Sequence, residues 1–223
     1  MNLSVLSVAT AVGMTTGLAS ATVLTFDPMP GNGVALNNAY GDRVVSAMQD
    51  GFSYGLMFGP TPNIEVSYGS ASGGSLLHWG PSYGDLENIV YGPAGGQEVR
   101  VAMSADDGWL VELHGFDVAG WPNADYTINE VRVEVDGQVA FSESDAFIRG
   151  ATADGEGKVH TSYDFGRAIV GSEVTIVLDV ANIGAGSQDN IGIDNIAFGQ
   201  VVPGPGVIAV LGAAGFAAGR RRR

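Results

Sequence analysis

Ile128-Asn129-Glu130-Val131-Arg132-Val133-Glu134-Val135, then Asp136-Gly137, then Gln138-Val139-Ala140-Phe141, is the stretch that decides the fold. Its apolar side chains recur at every second residue, the period of a strand with one buried face and not of a helix. Val131, Val133 and Val135 are expected to point inward, with Arg132 and Glu134 toward water. Asp136-Gly137 tolerates the positive φ angles of a two-residue hairpin turn, so residues 138–141 are expected to return antiparallel.

The same alternation extends outward in both directions. Residues 23–26, 43–45, 63–68, 86–91 and 97–103 read as strands, separated by turns rich in glycine, proline, asparagine and aspartate. In residues 109–116, Trp109 falls in phase with Val111 and Leu113 and is expected in the core. Val174, Ile176, Leu178 and Val180 mark a further half-buried strand, and residues 191–198 the last. No amphipathic helix interrupts them, and no internal repeat of about 20–50 residues points to a β-helix or propeller. The economical architecture is all-β: a two-sheet antiparallel β-sandwich, most simply a jelly roll, of about nine to eleven strands.

Composition narrows what such a sandwich can do. The 223 residues carry 24 acids and a formal charge of −14. Four of the ten bases end the chain; the body has only Arg43, Arg100, Arg132, Arg149, Lys158 and Arg167. A body this acidic repels nucleic acid and anionic lipid, so no nucleic-acid partner is expected. There is no cysteine, hence no disulfide and no thiol chemistry.

Both ends read as targeting segments. The chain is apolar and uncharged up to Ala19-Ser20-Ala21, a small-residue cleavage site, so residues 1–21 are expected to be a secretory signal peptide of helical character. Residues 22–201 form the sandwich domain, and residues 202–223 a separate tail: Val202-Pro203-Gly204-Pro205, a short apolar helical stretch, and Arg220-Arg221-Arg222-Arg223. The twelve apolar or small residues 207–218 would span about 18 Å as a helix, short of the roughly 30 Å of a bilayer core. This layout suits a transient membrane stop.

The tail resembles the PEP-CTERM sorting signal of Gram-negative envelope proteins, in which Val-Pro-Glu-Pro precedes an apolar helix and an arginine-rich end; Gly204 stands at the acidic position. The resemblance implies an exosortase-type processing enzyme and the cytoplasmic membrane as transient partners, and a destination in the cell envelope or extracellular matrix. The body, with Tyr40-Gly41-Asp42-Arg43-Val44 near its start and Ile193-Asp194-Asn195-Ile196-Ala197-Phe198 at its end, looks like galactose-binding-type jelly rolls, the fold of many carbohydrate-binding modules.

Catalysis is not expected. His78, His114 and His160 stand in separate segments without metal-ligand spacing, and no G-x-S-x-G elbow occurs. A structural calcium is suggested by jelly rolls of this kind, which often hold one between their first and last strands; Asp27, Asp42, Asp194 and Asn195 would meet there. Asp106-Asp107-Gly108 and Asp189-Asn190 are loop alternatives, and all of these residues also suit ordinary turns. Sugar binding would use loop aromatics that stack on pyranose faces. Trp79 and Tyr83 in one Gly/Pro loop, and Trp121 and Tyr126 in another, are the candidates, although loop tryptophans also serve as lids over a sandwich end. The expected function is that of a non-enzymatic exported envelope or matrix protein whose sandwich binds an exopolysaccharide or other envelope glycan. A purely structural surface protein and a secreted polysaccharide hydrolase are the alternatives.

Overall fold

The structure is a computed structural model that describes residues 20–28, 30–57, 59–70, 73–184 and 186–203. Residues 1–19 and 204–223, which hold most of the expected signal peptide and all of the expected tail beyond Pro203 (Gly204, Pro205 and Arg220 to Arg223 included), lie outside the described residues. Among the described residues no helix is long and apolar enough to cross a membrane.

The strands are β1 (Ser20–Asp27), β2 (Met48–Gln49), β3 (Phe52–Leu56), β4 (Ile64–Ser70), β5 (Leu77–Trp79), β6 (Ile89–Tyr91) and β7 (Glu98–Ala105). They continue with β8 (Leu110–Gly120), β9 (Tyr126–Val135), β10 (Gln138–Ile148), β11 (Thr161–Gly171), β12 (Glu173–Asp179) and β13 (Ile191–Val201). Two short 3-10 turns, Ala181–Ile183 and Gln188–Asn190, join β12 to β13. One antiparallel sheet runs β11-β8-β13-β1-β3-β2, with β6 on the end of β13 and β5 on β6; the other runs β10-β9-β12-β7-β4. The chain is thus an all-β, two-sheet antiparallel sandwich.

The Asp136-Gly137 hairpin forms as expected. Both residues have positive φ (49° and 75°), and Gln138 pairs with Val135. The sheets meet through the alternating apolar residues: Val131 and Val133 of β9, Ile176 and Leu178 of β12 and Val101 and Met103 of β7 face Leu113, Ile193, Phe198 and Leu24 of the other sheet in one buried cluster. Each such side chain contributes roughly 2 kcal/mol through the apolar area removed from water, which is how the fold dispenses with disulfides.

Several elements differ from the sequence expectation. Residues 43–45 do not form a strand: Arg43 has φ 46° and only Val44 pairs, in a lone bridge to Thr61. Trp109 is not a core residue. Its N–H bonds Asp106 O (2.9 Å) in the turn before β8, which leaves it half-exposed while Val111 and Leu113 are buried. Arg132 lies on the water face of β9 but is largely covered. Its guanidinium sits 2.7 Å from Glu134 Oε1, 3.0 Å from Glu130 Oε2 and 3.2 Å from Glu98 Oε1. Burial opposes that charge, and the three carboxylates outweigh it and raise the pKa.

Candidate functional site

Near the β5–β6 corner the larger sheet is buried on both faces. Val90, Val118, Ile191 and Ile193 belong to the main core. Their neighbours in the alternation, Ile89, Tyr91 and Ala119, turn to the opposite face and join Tyr83 and Leu86 in a second cluster. Gly192 pairs with both Tyr91 and Ala119. A Cβ there would stand 2.8 Å from Ile89 Cδ1 and 2.9 Å from Tyr83 Cδ1. The missing side chain is therefore what lets the aromatic rings lie against the sheet. Leu77, Trp79 and Trp121 pack half-buried over this cluster.

Hydrogen bonds hold the surrounding loops to one another. Asn123 N donates to Ser82 O (2.7 Å) and Trp121 N to Asn190 O (2.8 Å). Tyr126 Oη donates to Trp121 O (2.6 Å) and accepts from Asn190 Nδ2 (2.8 Å). Tyr83 Oη donates to Asp189 O at 2.5 Å. Burial, with Tyr91 and Asp189 nearby, pushes the Tyr83 phenol far above its ordinary pKa, and burial likewise raises Tyr91, so both remain neutral.

The rings bound a small, partly open pocket of about 60 Å³, lined by Trp79, Tyr83, Tyr91, Trp121, Asp189 and Asn190. Trp79 stands nearly perpendicular to Tyr91 (centroids 6.1 Å, 82°) and to Trp121 (6.2 Å, 78°), while Tyr83 stacks on Tyr91 (6.2 Å, 29°). Asp189 Oδ1 is buried and has no hydrogen-bond partner. The two loop pairs singled out in the sequence thus meet in one place. Trp79, Tyr83 and Trp121 line the pocket, and Tyr126 braces it from behind through Trp121 and Asn190. Sequence reasoning missed Tyr91, which looked like an ordinary strand residue, and offered Asp189-Asn190 only as a loop alternative for calcium.

The residues expected around calcium are not brought together as a set. Asp27, Asp194 and Asn195 line an open cleft of about 280 Å³ with Asp85, Glu87, Asn88 and His160. Asp42 is not among them; its Oδ1 accepts from Val66 N at 2.6 Å. Asp27 and Asp194, and Asp117 beside the cleft, already accept an N–H on one oxygen each. Asn88 Nδ2 donates to Asp27, Asn195 Nδ2 to Asp117 Oδ2 (2.9 Å) and Asn195 N to Asp194 Oδ1 (2.7 Å). His160 lies between Asp85 (2.8 Å) and Asp117 (3.5 Å). Among the described residues no group of three or more His, Asp or Glu side chains could hold a metal ion. The donor set therefore does not fit calcium as expected. Asp106, one loop alternative, is bonded to Arg43 instead (2.5 and 2.8 Å).

Asp194 itself is 5% exposed, and burial, with Asp117 and Asp27 close by, pushes its carboxyl up to about 8.

No family model matches the chain, and no curated protein matches its sequence. Among solved structures, it is similar to an exo-β-1,3-galactanase from Phanerochaete chrysosporium, crystallised with β-1,3-galactotriose, at 12% identity over 68% of this chain. The chain spans about a third of that enzyme's length (31%), and the TM-score of 0.27 is too low to carry an argument.

Proposed function

We propose that this is an exported, non-enzymatic envelope or matrix protein whose sandwich binds glycan in the pocket lined by Trp79, Tyr83, Tyr91 and Trp121. One observation carries the reading: four aromatic side chains from three segments converge on an open pocket that also holds Asp189 and Asn190. Aromatic faces match the apolar face of a sugar ring, and carboxylate and amide groups match its hydroxyls. The acidic surface favours glycan or protein partners over nucleic acid.

Export and sorting complete the proposal, with an exosortase-type enzyme and the cytoplasmic membrane as transient partners of the tail. Cleavage after Ala21 would remove the outermost pairs of β1, Ser20↔Gln200 and Ala21↔Gly199. It would leave Thr22↔Phe198, Val23↔Ala197 and Leu24↔Ile196, together with the buried Thr22–Thr61 hydroxyl bond (2.9 Å). β13 ends at Val201, before the Pro203 breaker, so the sandwich closes ahead of the tail. Intact mass of the protein from cells would read both cleavage sites.

The binding reading is tested on a glycan array with the wild type, Trp79→Ala and Trp121→Ala. Binding that disappears in both variants while each still melts cooperatively supports it. A folded wild type that binds no envelope glycan would leave the structural-surface alternative.

A further inference from the structure

The polar groups around the pocket are unevenly satisfied. Tyr83 Oη is committed to the Asp189 carbonyl, and Asn190 Nδ2 to Tyr126. Asp189 Oδ1, in contrast, is buried without a donor. A carboxylate oxygen withdrawn from water and unpaired is unfavourable, and an N–H or a cation at its side is what relieves it. Ionised, it can only accept. None of the six lining residues is basic, so the described residues supply no such partner there.

The rings point to the same chemistry. Here Trp79 stands close to perpendicular to both Tyr91 and Trp121, so the walls form the corner of a box. Aromatic faces carry the negative side of the ring quadrupole, and rings meeting around a corner with a carboxylate are a setting for an ammonium group. The formal charge of −14 would draw cations toward the protein as a whole.

We infer that the pocket selects an ammonium cation, seated between Trp79, Trp121 and Asp189. Its source is the protonated amino group of an amino sugar; a quaternary ammonium carries the same chemistry. This deepens the glycan reading and rests on it only for the choice of amino sugar.

The test is calorimetric titration of the full chain with glucosamine, N-acetylglucosamine, glucose and choline, at low and at high salt. The expected result is saturable binding of glucosamine at least tenfold tighter than of N-acetylglucosamine or glucose. It should weaken with salt and be lost when pH is raised until the amine is neutral. Asp189→Asn, which removes the charge and breaks no hydrogen bond of Oδ1, should weaken it about tenfold, as expected for a desolvated cation site. Asp107→Asn, which removes an exposed charge in a distant turn, should leave it unchanged. Choline binding without any sugar binding upholds the cation site and overturns the glycan reading. Neutral sugars binding as well as glucosamine, with Asp189→Asn unaffected, overturns the cation site and leaves the glycan reading standing. A folded protein that binds none of the four overturns the cation site outright.

Discussion

The aromatic pocket and the acidic cleft are neighbours served by one loop, residues 80–88. Tyr83 lines the pocket, and Asp85, Leu86, Glu87 and Asn88 line the cleft. They handle carboxylates in opposite ways. In the cleft Asp27, Asp117 and Asp194 each accept from an asparagine side chain or backbone N–H, and His160 lies against Asp85 and Asp117. In the pocket Asp189 keeps one oxygen buried and unpaired among rings. The cleft looks better suited to a ligand if acids are merely counted. Asp27, Asp85 and Asp194, however, each use one oxygen to hold β1, β13 and the loop together, whereas one oxygen of the pocket's single acid is buried without a donor among the described residues. Availability of lone pairs, not number of carboxylates, separates a structural polar network from a binding site.

The contrast can be broken most severely at Trp121. Trp121→Ala removes the ring that packs on Trp79 and opens the pocket, so glycan binding should fall beyond detection on an array. The loss of half-buried area should destabilise by about 1–3 kcal/mol, read by denaturant titration. Gly192→Ala should act next, from beneath. Its new Cβ collides with Tyr83 and Ile89, so stability should fall by about 1–3 kcal/mol and pocket affinity with it, while the pH profile governed by the cleft keeps its shape.

Asp194 tests the cleft alone. Burial raises its folded carboxyl to about 8 from the ordinary aspartate value of 3.8. Between those values the folded state holds a proton that the unfolded chain releases, so stability should decline as pH rises from about 4 to 8 and level off above. Asp194→Asn keeps the acceptor for Asn195 N and removes the charge. The variant should therefore melt above the wild type at pH 9 and lose that part of the slope, with pocket binding unchanged. A smaller effect is expected from calcium. Because Asp42 lies elsewhere and Asp27 and Asp194 each already accept an N–H on one oxygen, millimolar calcium or EDTA should leave the melting temperature within error. A calcium-induced rise abolished in Asp194→Asn would show the cleft to be a cation site after all.

Much of the sandwich was legible because burial imposes period two. β9, β12 and β13 each present one apolar face to the core, and Asp136-Gly137 forms the turn its φ preferences demand. β11 and the second half of β10 escaped notice for a physical reason. Both are edge strands: β10 carries an exposed polar run, Ser142 to Asp145, and the alternation of β11 is broken by a register shift between Asp164 and Ile169. Trp109 misled because phase was extended one residue past the start of β8. The site was legible in parts: loop aromatics at Trp79, Tyr83, Trp121 and Tyr126 stood out, but their meeting did not. It depends on the pairing of Tyr91 with Gly192 and of Gly120 with Ile191, contacts about a hundred and about seventy residues apart in the chain, which no local pattern encodes. Asp189 stood out only as a loop alternative for calcium and not as a neighbour of the aromatic loops, since a carboxylate's partners are tertiary facts.

The most direct measurement is titration of the glycan identified on the array into the folded wild type and into Trp79→Ala, following tryptophan fluorescence. Trp79 and Trp121 are half-buried at the pocket mouth, so binding there should change the wild-type emission saturably, and Trp79→Ala should neither bind nor respond. Equal affinity in the two proteins would place the ligand elsewhere and contradict the assignment of this pocket.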